Sequence, residues 1–215
     1  MSIPDVVYCL NLNRRPDRWS MFSQRIPDEW DLPEIKRVAA VDGRGLACDG
    51  RVTPGTLGCL ATHRAMLEQV VRKARVALVF EDDVIFRAEF CRNFAALLRS
   101  MPDDWDMIYL GGEHKRTPTC IAPGVLRCTW TTRTHAYLVR PDAAVKLLRG
   151  LAGWESHVDH AFGQMQADGM VLAYAPERWL CGQSAGTSDV HGFNQPGRVV
   201  ENYFDYEEAI PCLSR

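Results

Sequence analysis

Three consecutive carboxylates, Glu81, Asp82 and Asp83, interrupt an apolar run that begins at Val76 and resumes at Val84-Ile85-Phe86. The run before them is continuously apolar, which predicts a strand buried on both faces. Ionised carboxylates at the end of such a strand are costly unless positive charge meets them. In open α/β sheets, ligands bind beyond the carboxyl ends of the strands. Acids gathered at that place suit a divalent cation held by oxygen ligands. The competing reading is a strand that ends in a solvated acidic turn.

Other residues could take part in the same chemistry. Arg14 and Arg15 follow a predicted strand and precede a helix N-terminus, where arginines and free backbone N–H groups suit a phosphate or nucleotide; the alternative is a solvated basic turn. His63 lies on the apolar face of its helix, where a satisfied core histidine is the commoner outcome. His135 enters a strand, and spacing does not separate core from site. Asp159, between His157 and His160 at a helix start, is either a helix-dipole acid or a catalytic base. His191 sits in a Gly-rich tail loop, as a surface residue or as a metal or phosphate ligand on a flap.

Positioning these residues requires a packed domain. The 215 residues, 47% hydrophobic and 24% charged, fit one large globular domain with a real core. A formal net charge of -2 argues against a general nucleic-acid binder. No apolar run is long enough to span a bilayer. The first residues carry no basic n-region or apolar h-region, so secretion is not expected. The eight cysteines form no C-x-x-C pair, so a structural zinc site is not expected, and they read as free thiols in a reducing cytoplasm.

The patterns predict strands at 3–12, 35–41, 76–80, 106–110, 126–130, 136–139 and 170–174. Helices are predicted at 16–25, 54–74, from Phe90 to about Leu98, 141–148 and 157–167. Pro16, Pro54 and Pro141 suit first helical turns, with Thr53 as an N-cap. Residues 113–124 and 182–197 read as loops. Early strand–helix alternation predicts an α/β fold with a largely parallel sheet, and the later strands add antiparallel pairs. The expected organisation is a single domain over 1–215, with 182–215 as C-terminal loop and tail.

The stretch 78–83 resembles the opening of a receiver domain, but there the acidic pair ends the first strand, and here two strand–helix units precede it. A broader resemblance is carried by Leu10-Asn11-Leu12-Asn13-Arg14-Arg15-Pro16-Asp17-Arg18, Gly58-Cys59-Leu60-Ala61-Thr62-His63, Glu81-Asp82-Asp83, Tyr109-Leu110-Gly111 and Thr134-His135-Ala136-Tyr137-Leu138, in that order. The ordered set resembles glycosyltransferase family 25, the lipopolysaccharide-type enzymes related to procollagen galactosyltransferases. Thr62 departs mildly from it, since that position is usually serine.

The resemblance implies a GT-A-like, Rossmann-like fold and an inverting transfer of a hexose, galactose above all, from a UDP-sugar. The expected acceptor is a glycan or glycolipid such as a lipopolysaccharide or capsule oligosaccharide, reached from the cytoplasm at the inner membrane face. It also implies Mn2+ or Mg2+, with Glu81 and Asp83 at D-x-D-type spacing; His191, from its place in the tail loop, is the further expected metal ligand. Arg14, Arg15, Asp42, His63 and Asp82 are then expected at the donor. An inverting transferase needs a general base opposite the leaving group. Asp142 has a capping role and Asp168 lies in a turn. Asp159 has apolar neighbours that Glu155 lacks, and is the expected base. The alternatives are an inactive nucleotide-sugar-binding module and a metal-dependent phosphotransfer or signalling domain.

Overall fold

The computed structural model describes residues 3–48, 50–184 and 190. Its centre is an eight-stranded sheet in the order β2-β1-β3-β8-β5-β9-β7-β6. The strands are β1 (Val6–Leu12), β2 (Ile35–Ala40), β3 (Ala77–Glu81), β5 (Met107–His114), β6 (Thr119–Ala122), β7 (Val125–Arg127), β8 (Thr131–Val139) and β9 (Ala173–Pro176). The pairs β1–β2, β1–β3 and β5–β9 are parallel, and β8 and β7 run against their neighbours. The fold is therefore α/β with a mixed sheet flanked by helices, as the alternating pattern predicts.

The continuous apolar runs have a simple cause. Val6, Tyr8 and Leu10 of β1, with Ala77 and Val79 of β3, enter one core. Val7 and Cys9, with Leu78 and Phe80, enter the other. Successive strand residues point to opposite faces, so a strand covered on both sides must be apolar throughout. The first core is closed by helices α2 (Pro54–Lys73), α4 (Pro141–Gly150) and α5 (Val158–Ala167), and the second by α1 (Pro16–Arg25) and α3 (Phe90–Ser100). Helix α2 starts as predicted. Thr53 accepts a hydrogen bond from the Thr56 N–H at 3.1 Å, and Pro54 takes the first helical position.

Several boundaries differ from the sequence reading. Strand β5 does not stop at Leu110 but continues through Gly111 and Gly112 to His114, with shifts in its register against β8. Strand β8 begins at Thr131, not Ala136, and β9 begins at Ala173. Residues 119–122, expected as loop, pair with β7. Residues 181–183 form β10 (Cys181–Gln183), which pairs antiparallel with β4 (Val84–Phe86) in a second, two-stranded sheet. These short, partly polar strands show no clear period of their own, and their partners are distant in sequence.

Cys9, Cys48, Cys59, Cys91, Cys128 and Cys181 are free thiols, but Cys120 is disulfide-bonded, which corrects the expectation for that residue. No described helix is long and apolar enough to cross a membrane.

Helix α2 approaches the turn after β2 so closely that only glycine fits there. A Cβ on Gly58 would lie 2.7 Å from the Gly43 nitrogen, and one on Gly43 would overlap the Pro54 carbonyl. Gly43→Ala should therefore cost about 3 kcal/mol or more through backbone displacement. Gly45→Ala, whose Cβ meets nothing within 4 Å, should be close to neutral. Urea unfolding of the two variants measures the difference.

Candidate active site

The carboxyl end of β3 opens into a cavity of about 150 Å³ lined by Arg14, Arg18, Asp42, Cys59, His63, Glu81, Asp82, Asp83 and Gln183, among others. That is well under the roughly 300–1,000 Å³ of a pocket enclosing a whole drug-sized ligand, so it encloses only a part of such a ligand. A larger hollow of about 910 Å³, beside Phe86, Ala96, Val125 and Trp179, holds none of the expected site residues.

Each of the three acids has its own surroundings. Glu81 ends β3, and its Oε1 accepts the Thr134 hydroxyl at 2.7 Å and faces His63 Nε2 at 3.3 Å. Burial works against its ionisation, but the His63 and Thr134 contacts prevail and hold the carboxyl below the usual range. His63 is buried, with Nδ1 2.9 Å from the Tyr137 hydroxyl. An ionised Glu81 can only accept, so a neutral His63 facing it donates from Nε2 and takes the Tyr137 proton at Nδ1.

Asp82 points away from this group. Its Oδ1 takes Arg18 Nε at 2.9 Å and its Oδ2 takes Asn11 Nδ2 at 2.6 Å. Burial raises its pKa, against the pull of Arg18 and Asn11. Asp83 receives Arg18 Nη2 at 2.8 Å and Gln183 Nε2 at 3.2 Å through Oδ2. Its Oδ1 is buried without a hydrogen-bond partner among the described residues. Burial raises the Asp83 pKa to about 6; Arg18 opposes the rise, and Glu81 and Asp82 add to it. The backbone of Ser184 donates to the Asp83 carbonyl at 2.7 Å, fastening the acidic turn to β10.

The other expected residues divide into two groups. Arg14 reaches the cavity and pairs with Asp42 at 2.9 Å. Asp42 also binds Arg44 and caps the following turn, and these contacts, Arg44 first, hold its carboxyl far below the usual range. Arg15 pairs with Asp17 at the surface and does not line the cavity. Asp159 does not line it either. One of its oxygens accepts the Arg133 N–H at 3.0 Å, and the other accepts the His160 N–H at 2.9 Å. Arg133 has φ of 68°, a left-handed conformation that the Asp159 contact helps to hold. His191 lies outside the described residues.

Sequence reasoning passed over Arg18, Cys59, Thr134, Tyr137 and Gln183. Arg18 is three residues beyond the Arg14-Arg15 pair, one helical turn on, which is the spacing that could have drawn attention to it. Cys59 precedes His63 by four residues, the spacing that puts two side chains on one helix face. Nothing local marks Gln183.

The geometry defines a class: an α/β domain with an acidic, arginine-neutralised pocket at a strand end. Residues 35–118 match the profile of glycosyltransferase family 25, described as LPS biosynthesis protein. Human inactive glycosyltransferase 25 family member 3 is 34% identical over 173 residues, 67% of this chain and 28% of that protein. Human procollagen galactosyltransferase 2 is 26% identical over 172 residues, 67% of this chain and 27% of that protein. Zebrafish (Danio rerio) procollagen galactosyltransferase 1 is 29% identical over 173 residues, with 67% and 28% covered. The apo UDP-glucose pyrophosphorylase structure aligns at a TM-score of 0.40 and 11% identity, over 66% of this chain and 55% of that one. The chain belongs to glycosyltransferase family 25. It spans under a third of the length of these curated relatives.

Two outcomes test the electrostatics. Arg18→Met leaves Asp82 and Asp83 buried without their cation and should cost about 3–5 kcal/mol in denaturant unfolding, with Asp82→Asn in the same chain recovering part of it. The second outcome concerns pH. His135 is buried, with neither ring nitrogen hydrogen-bonded among the described residues, and burial lowers its pKa to about 4. The folded ring stays neutral while the unfolded ring binds a proton near its ordinary value of about 6.5. Its effect is absent above that pH, and stability is lost as the pH falls from about 6.5 to 4, by on the order of 3 kcal/mol. Asp83, with its raised pKa, works in the opposite sense over much of this window. Comparing wild type with His135→Gln at pH 7 and pH 4.5 isolates the histidine: the acid loss should be smaller in the variant.

Proposed function

We propose that this domain transfers a hexose, galactose first among the candidates, from a UDP-sugar to a glycan or glycolipid acceptor, with inversion and with Mn2+ or Mg2+. Membership of family 25 supports the transferase reading. The observation that carries the metal and donor assignment is the Asp83 Oδ1, a buried carboxylate oxygen without a partner among the described residues, in one cavity with Glu81 and the arginines. An orphaned anionic oxygen beside a second carboxylate fits a hard cation.

In this reading Glu81 and Asp83 hold the ion, which when bound neutralises charge on the departing diphosphate. His191, outside the described residues, is the proposed third ligand. Arg14 and Arg18 add positive charge around the diphosphate, and Asp42 orients Arg14. Arg15, with its surface position, and Asp82, turned toward Arg18, are second-line donor contacts. Asp159 is the proposed base that takes the proton from the attacking acceptor hydroxyl.

Glycan acceptors of the lipopolysaccharide or capsule type, used in the cytoplasm at the inner membrane face, belong to the same reading. A second reading, a domain that binds nucleotide sugar without turning it over, has the Arg18 clamp in its favour. The clamp already satisfies one oxygen of Asp82 and one of Asp83.

One experiment addresses both. With Mn2+ present, UDP binding by calorimetry should be lost in Asp83→Asn, and UDP-galactose turnover should be measurable in wild type. Asp159→Asn should cut kcat by orders of magnitude with donor affinity nearly unchanged. Tight UDP binding without turnover on any acceptor tried would favour the second reading. A melting-temperature drop in Asp159→Asn with kcat kept would make that residue only the anchor of the Arg133 backbone.

A further inference from the structure

The cavity contains a second set of donor atoms, different in chemistry from the Glu81–Asp83 pair. Cys59 and His63 lie four residues apart on α2, so both side chains leave the same face. The end of β3 brings Glu81 opposite them. One ligand atom from each, thiol sulfur, imidazole nitrogen and carboxylate oxygen, lies within 4.8 Å of the other two. We propose that Cys59, His63 and Glu81 form a three-ligand site for a zinc-class ion, with its fourth position open to the cavity.

Three observations support this beyond proximity. The first is spacing. Two N or O ligands at about 2.0–2.1 Å from a tetrahedral ion stand about 3.3–3.4 Å apart. His63 Nε2 and Glu81 Oε1 are 3.3 Å apart with no ion between them. The second is the support behind the ligands. A metal-binding histidine is normally held through its other ring nitrogen, and a ligating carboxylate by a further hydrogen bond. His63 Nδ1 is 2.9 Å from the Tyr137 hydroxyl, and Thr134 holds Glu81 at 2.7 Å. In the ion-free site Nε2–H faces Glu81, so binding an ion would shift the proton to Nδ1, which then donates to Tyr137 and frees the Nε2 lone pair for the ion. The third is ligand type. A thiolate with an imidazole and one carboxylate favours zinc over manganese or magnesium, which prefer all-oxygen sets.

Binding costs the thiol its proton, which passes to solvent as the sulfur–metal bond forms. Three protein ligands leave one position for water or for an oxygen of a bound phosphate. Glu81 is common to this set and to the proposed donor site, so the two ions would exclude each other. That consequence rests on the donor reading, whereas the site itself does not.

Cobalt(II) reports directly on a sulfur ligand. One equivalent added to the wild-type protein should produce the intense near-ultraviolet thiolate-to-cobalt band, and Zn2+ should bleach it. Cys59→Ser should abolish the band and weaken Zn2+ at least about tenfold in competition with a chromophoric chelator. Tyr137→Phe, which keeps the ring but removes the hydroxyl, should weaken Zn2+ by about 10–100-fold. Asp83→Asn should retain the band, separating this site from the oxygen-only one. No band in wild type, or an equal band in Cys59→Ser, overturns the proposal. No sugar donor or acceptor is present, so the result stands apart from that of the transferase assay.

Discussion

The guanidinium of Arg18 bridges Asp82 at 2.9 Å and Asp83 at 2.8 Å, and the acidic turn depends on that bridge. Without a cation of its own, the turn would bring three carboxylates together at the end of a buried strand, and the cost of taking charges out of water is several kcal/mol per ion. Arg18 comes from the first turns of α1, so the helix after β1 is oriented by the charge at the end of β3. Asn11 completes the arrangement. It donates to Asp82 and to the Arg15 carbonyl while accepting from Arg37. Strands β1, β2 and β3 are thus joined at their carboxyl ends by polar contacts as well as by the ladder. The bridge also divides the acids: Asp82 is fully engaged, while Asp83 keeps one oxygen in reserve.

The insertion of β8 between β3 and β5 has the next largest effect on the site. A purely parallel sheet would place another strand's carboxyl end beside Glu81. The antiparallel β8 brings its middle there instead, with Thr134 and Tyr137 delivered from one strand. The geometry has local costs. Arg133 takes a left-handed conformation, and the β5 register shifts around Gly111. A Cβ at Gly111 would overlap the His135 ring and the Cys181 carbonyl, so the glycine allows a buried histidine to lie across the strand. Such bulges are common where a sheet is bent around a site.

What could be read from the sequence follows the range of the interactions. The double-sided strands, the proline-started helices and the Thr53 cap depend on neighbours a few residues away, and they were legible. The acidic stretch was legible as a site because burial and charge conflict within six residues. Individual roles were not, because partners such as Arg18, Gln183 and Thr134 are separated from the acids by 53 to 100 positions. His63 is an instructive case. Its apolar face marked it as a core residue, which it is, yet both of its ring nitrogens meet polar groups at the cavity wall. Asp82 shows the reverse, a residue of conspicuous type whose charge is spent inside the protein. Strands β4 and β10 went unread because each is three residues long.

The pairing of β10 with β4 has a consequence for the order of assembly. Gln183 and Asp83 are 100 positions apart, and the amide of the next residue, Ser184, closes the same turn. Contacts of such separation form late, since a long loop must close before they give any return. On the ribosome, the acidic stretch emerges when barely half of the chain described has been made. Its final geometry waits until β10 has left the exit tunnel. The residues most exposed to unwanted ions or partners during synthesis are therefore the last to be secured, and Arg18, made earlier than any of them, is already present to neutralise them in the interval.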